Sequence, residues 1–142
     1  MGLVWRDQLS VGNQVIDSDH KNLIEIINKI EQSLAKKDIK NLSIALKDLH
    51  RYAQEHFDRE EFIAKTAGYA RVLHLHESHK KLQEKLDQLM GEIGKMEQNW
   101  SSDKAEHIAQ FVHDWFINHV IKEDLLMKSV LQQHSYYFDP RT

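Results

Sequence analysis

Residues 49–63 read LHRYAQEHFDREEFI, and their spacing decides the fold class. Leu49, Tyr52, His56, Glu60 and Ile63 recur every three or four residues, which is the period of one face of an α-helix. His56 and Glu60 are four residues apart, so they lie on the same face as the apolar side chains. The stretch therefore predicts a helix whose buried face carries an imidazole and a carboxylate.

The same period extends beyond this stretch and recurs in three other segments. We expect helices at about 17–36, 39–67 and 69–96, and a fourth from 103 towards 132, with a loop at 98–102. Asp17 or Ser18 is predicted to cap the first helix, and Gly68 to end the second. Four helices with short connections predict an all-α, antiparallel up-down four-helix bundle. We expect one domain over 1–142, with an irregular N-terminal arm (1–16), the bundle (17–134) and a tail or linker (135–142).

The composition excludes several classes of protein. The chain has 142 residues and no cysteine, which rules out disulfides, iron–sulfur clusters, thiolate zinc sites and a covalently attached c-type heme. The formal net charge of -3 does not indicate the excess of basic residues that is typical of nucleic-acid-binding proteins. The N-terminus does not resemble a signal peptide, and no apolar run is long enough to span a membrane. We therefore expect a soluble, cytoplasmic protein.

Polar side chains also occupy the apolar faces of the other helices. His20, His79 and His119 fall on these faces, and Asp124 follows five residues after His119. Burying such groups without partners costs several kcal/mol each, and bound metal removes this cost. Imidazole and carboxylate ligands suit iron, manganese or zinc. Six ligands are too many for one tetrahedral zinc, so a two-metal site is predicted, with a heme bundle as the alternative. The predicted ligands are His20, His56, Glu60, His79, His119 and Asp124.

These residues occur in a recognisable order along the chain. Trp5 is followed by IDSDH at 16–20, HFDREE at 56–61, Gly68-Tyr69, and WFINH at 115–119 with Asp124 behind it. The chain resembles the hemerythrins, in particular the bacterial hemerythrin domains. The resemblance implies two irons joined by a bridging oxo or hydroxo group, and dioxygen or another small diatomic molecule or anion as ligand. It implies bridging roles for Glu60 and Asp124, with His20 and His56 on the dioxygen-binding iron and His79 and His119 on the other.

One position departs from the family pattern. The third helix of hemerythrins carries H-x-x-x-H, whereas here Leu75 precedes His79 by four residues. The flanking His76 could turn inwards if the helix shifts, and His74 is the other neighbour. Otherwise water, hydroxide or a small anion completes the coordination. We therefore expect an open coordination position at this iron.

The open position indicates a reactive centre, which favours sensing of dioxygen or redox state over storage. Related domains commonly serve as inputs of chemoreceptors and diguanylate cyclases, so a fused or partner signalling output domain is expected, with 135–142 as a linker. A stand-alone dioxygen carrier or store is the alternative. A di-iron oxidase, peroxidase or nitric oxide reductase is less favoured, because the sequence has no Glu-x-x-His pair. We therefore expect the domain itself not to be an enzyme.

Overall fold

The structure is a computed structural model that describes residues 2–96 and 99–141. Within these ranges the chain forms long helices and no β-strand, so the all-α prediction is confirmed. The start of the predicted loop at 98 and the end of the tail at 142 lie outside the described residues. Among the described helices, none is both long and apolar enough to cross a membrane. The four long helices are α1 (Gln14–Ala35), α2 (Ile39–Ala67), α3 (Val72–Gly94) and α4 (Ser102–Asn118).

Helix α1 begins earlier than its sequence predicts, and the predicted cap is wrong. The side chain of Asn13, not of Asp17 or Ser18, accepts the capping hydrogen bond, from the backbone N–H of Ile16. Asp17 is already engaged, because its carboxylate accepts bonds from the Ser10 hydroxyl and the Val11 N–H. The extended arm therefore uses Asp17 as its anchor, and the helix gains one turn.

The junction of α2 and α3 is set by Gly68. This residue adopts a φ of 91°, the left-handed conformation that glycine enters without steric cost, and it ends α2 as predicted. The chain needs a turn to reverse direction after this cap, so α3 begins at Val72 rather than at Tyr69. This small shift leaves His79 and Leu75 in the buried face of α3.

The fourth predicted helix changes its winding at the functional residues. After α4 come a π-helical turn (His119–Glu123), a 3-10 turn (Asp124–Met127) and a short helix α5 (Lys128–Leu131). A π-helical turn closes its hydrogen bond over five residues instead of four. The five-residue spacing between His119 and Asp124 is therefore one turn here, and both side chains reach the same place.

Two apolar clusters fill the bundle, and they lie on either side of the polar residues. The larger cluster includes Leu23, Phe57, Leu82 and Phe116. The smaller one contains Val11, Ile16, Ile63, Ala64, Leu75, Met127 and Leu131. On each helix, a buried histidine or carboxylate stands in sequence between a residue of one cluster and a residue of the other. The polar residues thus form a layer that is closed at both ends by apolar packing.

The C-terminal tail is fastened to the start of α1. The Tyr136 hydroxyl donates to Asp17, the Tyr136 carbonyl accepts from the Gln14 N–H, and the Asn13 side chain donates to the Phe138 carbonyl. Asp17 and Asn13 are both buried, so these bonds are shielded from water. The described part of the tail is therefore packed against the bundle.

Tyr136→Phe is expected to lower the free energy of unfolding by about 1 kcal/mol, because it removes one hydrogen bond to a buried carboxylate while keeping the ring. Urea denaturation monitored by circular dichroism measures this change. Tyr137→Phe is the matched control, since the Tyr137 side chain is 70% exposed. Equal unfolding free energies for the two variants would contradict this role of Tyr136.

Candidate metal centre

The six predicted ligands lie together in the middle layer of the bundle, with exposed fractions of 3% or less. One nitrogen or oxygen atom from each of five of them lies within 4.8 Å of all the others, a grouping that could hold metal. The sixth, His79, joins through Glu60, whose Oε1 lies 2.9 Å from His79 Nε2. We refer to these residues as the centre: His20, His56, Glu60, His79, His119 and Asp124.

Glu60 divides the histidines into two pairs. Its Oε2 faces His56 Nε2 at 3.0 Å and His20 Nε2 at 3.6 Å. Its Oε1 faces His79 Nε2 at 2.9 Å and His119 Nε2 at 3.5 Å. Each carboxylate oxygen therefore serves one pair, which is the arrangement of a carboxylate that spans two metal positions.

Asp124 connects the same two pairs from a second side. Its Oδ2 lies 2.8 Å from His20 Nε2 and 2.7 Å from His119 Nε2. His20 belongs to one pair defined by Glu60 and His119 to the other. Each of the two carboxylates therefore contacts imidazoles of both pairs.

These short distances are not hydrogen bonds in most cases. Nε2 of His20, His56 and His119, Oε2 of Glu60 and both carboxylate oxygens of Asp124 are buried, and they lack a hydrogen-bond partner of acceptable angle within the described residues. Buried polar atoms in native proteins are nearly always partnered, so these atoms need another partner. Imidazole and carboxylate donors that converge without thiolate fit iron well, and two carboxylates crossing between imidazole pairs fit two ions.

The pKa values describe the centre without metal. Burial acts to raise the pKa of Glu60, but the neighbouring His56 and His119 outweigh it and hold that pKa well below its usual range. Burial acts to lower the pKa of His119, but Asp124 and Glu60 raise it to about 10. Glu60 is therefore ionised, and His119 holds a proton against it. A metal cation would take the place of this proton.

A carboxylate orients His56 from the side of its ring that faces away from the centre, and an arginine binds that carboxylate. His56 Nδ1 lies 3.0 Å from Asp19 Oδ2, and Arg59 donates two bonds of 2.9 Å to the two oxygens of Asp19. Tyr52 adds a bond from its hydroxyl at 2.8 Å. Burial acts to raise the pKa of Asp19, but the bonds from His56 and Arg59 lower it to about 2. This ionised carboxylate fixes the His56 ring with Nε2 facing the centre.

His79 is held in a similar way by Glu61. His79 Nδ1 lies 2.7 Å from Glu61 Oε2, and the other oxygen of Glu61 lies 2.7 Å from His76 Nδ1. The ring of Phe57 stacks on His79 with centroids 4.0 Å apart. His79 is therefore fixed both in its plane and along its hydrogen-bond axis, with Nε2 towards Glu60.

Buried apolar side chains surround part of the centre. Leu23, Phe57, Leu82, Trp115 and Phe116 are all 8% exposed or less. Phe116 meets the His20 ring edge-on at 5.9 Å, and the Trp115 indole N–H is bonded to the Leu82 carbonyl. Aromatic rings thus cover the imidazoles on the side of the larger apolar cluster.

Leu75 is packed in the smaller apolar cluster, with 1% of its surface exposed. Neither flanking histidine takes its place in the structure. The His76 side chain is 52% exposed and bonded to Glu61, and the His74 side chain is 50% exposed and paired with Glu123. The turn of α3 that precedes His79 therefore presents an alkyl group to the bundle interior.

Comparisons with known proteins bear directly on this centre. A family model described as the hemerythrin HHE cation binding domain matches residues 11–131. The chain belongs to the hemerythrin family. A bacteriohemerythrin of Pseudomonas aeruginosa is 29% identical over 122 residues, which cover 86% of this chain and 76% of the relative. One of Clostridium acetobutylicum is 26% identical, covering 85% and 95%. The crystal structure of wild-type hemerythrin matches with a TM-score of 0.78 and 26% identity, covering 92% and 98%.

The sequence pattern did not predict the residues that orient His56 and His79 through their Nδ1 atoms. Asp19 and Glu61 each stand directly beside a predicted ligand, and Arg59 lies between His56 and Glu60 in the chain. Charged residues on a helix usually lie on its solvated face, so the helical period alone does not single out these three residues. A carboxylate adjacent to a buried histidine or glutamate on a helix was the available signal, since outer partners of this kind commonly orient metal-binding imidazoles.

Proposed function

We propose that this hemerythrin-family chain is a non-heme di-iron protein that binds dioxygen. The observation that carries the proposal is the pair of carboxylates that each contact both pairs of imidazoles, with most of their ligand atoms buried and lacking a hydrogen-bond partner within the described residues. Glu60 and Asp124 are the residues that would span the two irons, and a bridging oxo or hydroxo group would complete the link. Bound iron supplies the electrons and the open coordination position that dioxygen requires.

The side chains of the chain control the surroundings of this chemistry. Asp19 and Glu61 orient His56 and His79, and a carboxylate partner makes each imidazole a stronger donor. Phe57 and Phe116 keep water away from the imidazoles on one side. The same shielding strengthens the electrostatic interactions between Glu60 and the histidines, because the local dielectric constant is low.

We further propose that the domain senses dioxygen or redox state. Leu75 supports this, because the four histidines and two carboxylates leave one more position open than a seven-ligand centre does. A ligand position opened in this way favours rapid reaction and short-lived binding. The Tyr136 hydroxyl bonds to Asp17, one turn before His20, and this contact would give a mechanical route from the centre to an output domain.

A stand-alone carrier is the second candidate. Wild-type hemerythrin is matched over 98% of its own length, so this fold also occurs in a chain with little beyond the bundle. The lifetime of the air-induced optical spectrum separates the two candidates. We expect the spectrum of the reduced, iron-loaded protein in air to decay within minutes, whereas decay over many hours would favour the carrier. Catalytic turnover of peroxide or nitric oxide well above background would favour an enzyme instead.

Asp19→Asn is expected to weaken iron binding by about 10- to 100-fold, because an amide orients and polarises His56 less strongly than a carboxylate. Competition against a chromophoric chelator measures this affinity. Asp58→Asn is the control for the same chemical change, since Asp58 is exposed and lies on α2, two residues after His56. If both variants bound iron as tightly as the wild-type protein, Asp19 would have no role at the centre.

A further inference from the structure

The centre is closed to solvent, which raises the question of how a metal ion reaches it. His20, His56, Glu60 and Asp124 have no exposed surface, and His79 is only 2% exposed. A hydrated divalent cation must therefore exchange its water for protein ligands on the way in. A route for the metal needs ligand atoms at the surface that continue to the buried ones.

A surface cavity between α2 and α3 reaches one of these buried residues. Its volume is about 190 Å³, and the side chain of His79 forms part of its wall. The opposite edge of the His79 ring carries Nε2, which lies 2.9 Å from Glu60. One imidazole ring therefore separates the cavity from the central carboxylate.

Glu61 connects the outside of this cavity to the inside. Its two oxygens lie 2.7 Å from Nδ1 of the half-exposed His76 and 2.7 Å from Nδ1 of the buried His79. Carboxylate and imidazole are ligand types that Fe²⁺ accepts. The three residues thus form a row of iron-compatible donors that runs from solvent to the centre.

Gln83 provides an independent sign of a polar occupant in the same cavity. This cavity-lining residue is 9% exposed, and its amide nitrogen donates to the His50 carbonyl and to Gln54. Its carbonyl oxygen is buried and has no hydrogen-bond partner within the described residues. An amide carbonyl oxygen is a hard donor that can accept a cation or its bound water.

The rim of the cavity carries excess negative charge. Glu61, Glu84 and Asp87 line the cavity against one lysine, Lys80. A concave site lined by one sign of charge raises the local concentration of opposite ions and their rate of arrival. The field of this rim therefore attracts divalent cations to the mouth of the cavity.

We propose that this cavity is the route by which Fe²⁺ enters the centre, with Glu84 and Asp87 attracting the ion and His76 and Glu61 passing it to His79. The proposal rests on the proposed di-iron function. It assigns kinetic roles to Glu84, Asp87, His76 and Glu61, none of which is a predicted ligand of the centre.

Stopped-flow uptake of Fe²⁺ tests this route. Metal-free protein is mixed anaerobically with Fe²⁺ held by a weak chromophoric chelator, and the loss of the chelate colour gives the rate. The variants are His76→Ala and the pair Glu84→Gln with Asp87→Asn. The control pair, Glu25→Gln with Glu92→Gln, removes the same charge from exposed positions away from the cavity.

Both cavity variants are expected to take up iron about fivefold more slowly than the control pair, while the final iron content is unchanged. The rate of the wild-type protein should also fall more steeply with salt than that of the double cavity variant. Equal rates with full loading would overturn the route and leave the di-iron function standing. A wild-type protein that binds no iron would overturn the di-iron function itself.

Discussion

Glu60→Gln is expected to prevent the chain from holding two irons. Glu60 is the one residue of the centre that approaches all four histidines, at 2.9 to 3.6 Å, and it uses a different oxygen for each pair. Glutamine has nearly the same shape, but it replaces one charged oxygen with an N–H₂ group that repels a metal cation. One pair of histidines therefore loses its link to the other.

The expected iron content of the Glu60→Gln protein is one ion per chain or fewer, measured by elemental analysis after anaerobic loading. The thermal midpoint should also rise less with added Fe²⁺ than that of the wild-type protein, because a bound ligand stabilises the folded state in proportion to its binding. Glu55→Gln is the control on the same helix, at a carboxylate that is 43% exposed and paired with Arg51. A Glu60→Gln protein that still bound two irons tightly would show that Glu60 does not bridge them.

Leu75→His has the second largest expected effect, because it adds the histidine that the resemblance to hemerythrins leads us to expect at this place. The side chain at position 75 is buried one helical turn before His79, so a new imidazole would point towards the same layer. We expect the reduced, iron-loaded variant to lose its air-induced spectrum several-fold more slowly than the wild-type protein. The reason is that a seventh protein ligand would occupy the proposed open coordination position.

The same substitution should have opposite effects on the two forms of the protein. Without metal, Leu75→His replaces packed alkyl surface in the smaller apolar cluster and buries an unpaired polar ring, at a cost of about 2 to 4 kcal/mol. With iron bound, the new ligand offsets much of this loss. Denaturation of both forms measures the two values. Leu75→Met is the control, since it keeps apolar volume without a nitrogen donor. If the iron-loaded Leu75→His protein lost its air-induced spectrum as fast as the wild-type protein, the proposed open coordination position would be contradicted.

Much of the fold and of the centre could be predicted because both follow the same helical period. His56 and Glu60 stand where a leucine would otherwise be expected, so the apolar pattern itself marks them as buried. Gly68 marked the end of α2 for a local reason, the low cost of a left-handed glycine. Features that depend on spacing within one helix were therefore accessible from the sequence.

Features that depend on distant partners were not accessible in this way. Asn13 caps α1 because Asp17 is occupied by Ser10 and Val11 of the arm and by Tyr136, which is 119 residues away. Asp19 faces His56 and Arg59 only after α1 and α2 have packed together. No period in the sequence encodes these contacts, since each joins a single residue to another element.

The helix type of the segment after α4 could be predicted only in part. The sequence showed a five-residue gap between His119 and Asp124, which does not fit an α-helical face. The π-helical turn at His119–Glu123 resolves this by closing over five residues. The gap was visible in the sequence, whereas the change of helix type that accommodates it required the structure.

The central claim is that six side chains of this hemerythrin-family chain hold two irons. The most direct test is to load the metal-free protein with Fe²⁺ under anaerobic conditions, admit air, and record the metal content and the optical spectrum on the same sample. We expect two irons per chain together with the charge-transfer bands of an oxo-bridged pair. One metal ion per chain or none, or a Soret band from heme in the purified protein, would contradict the central claim.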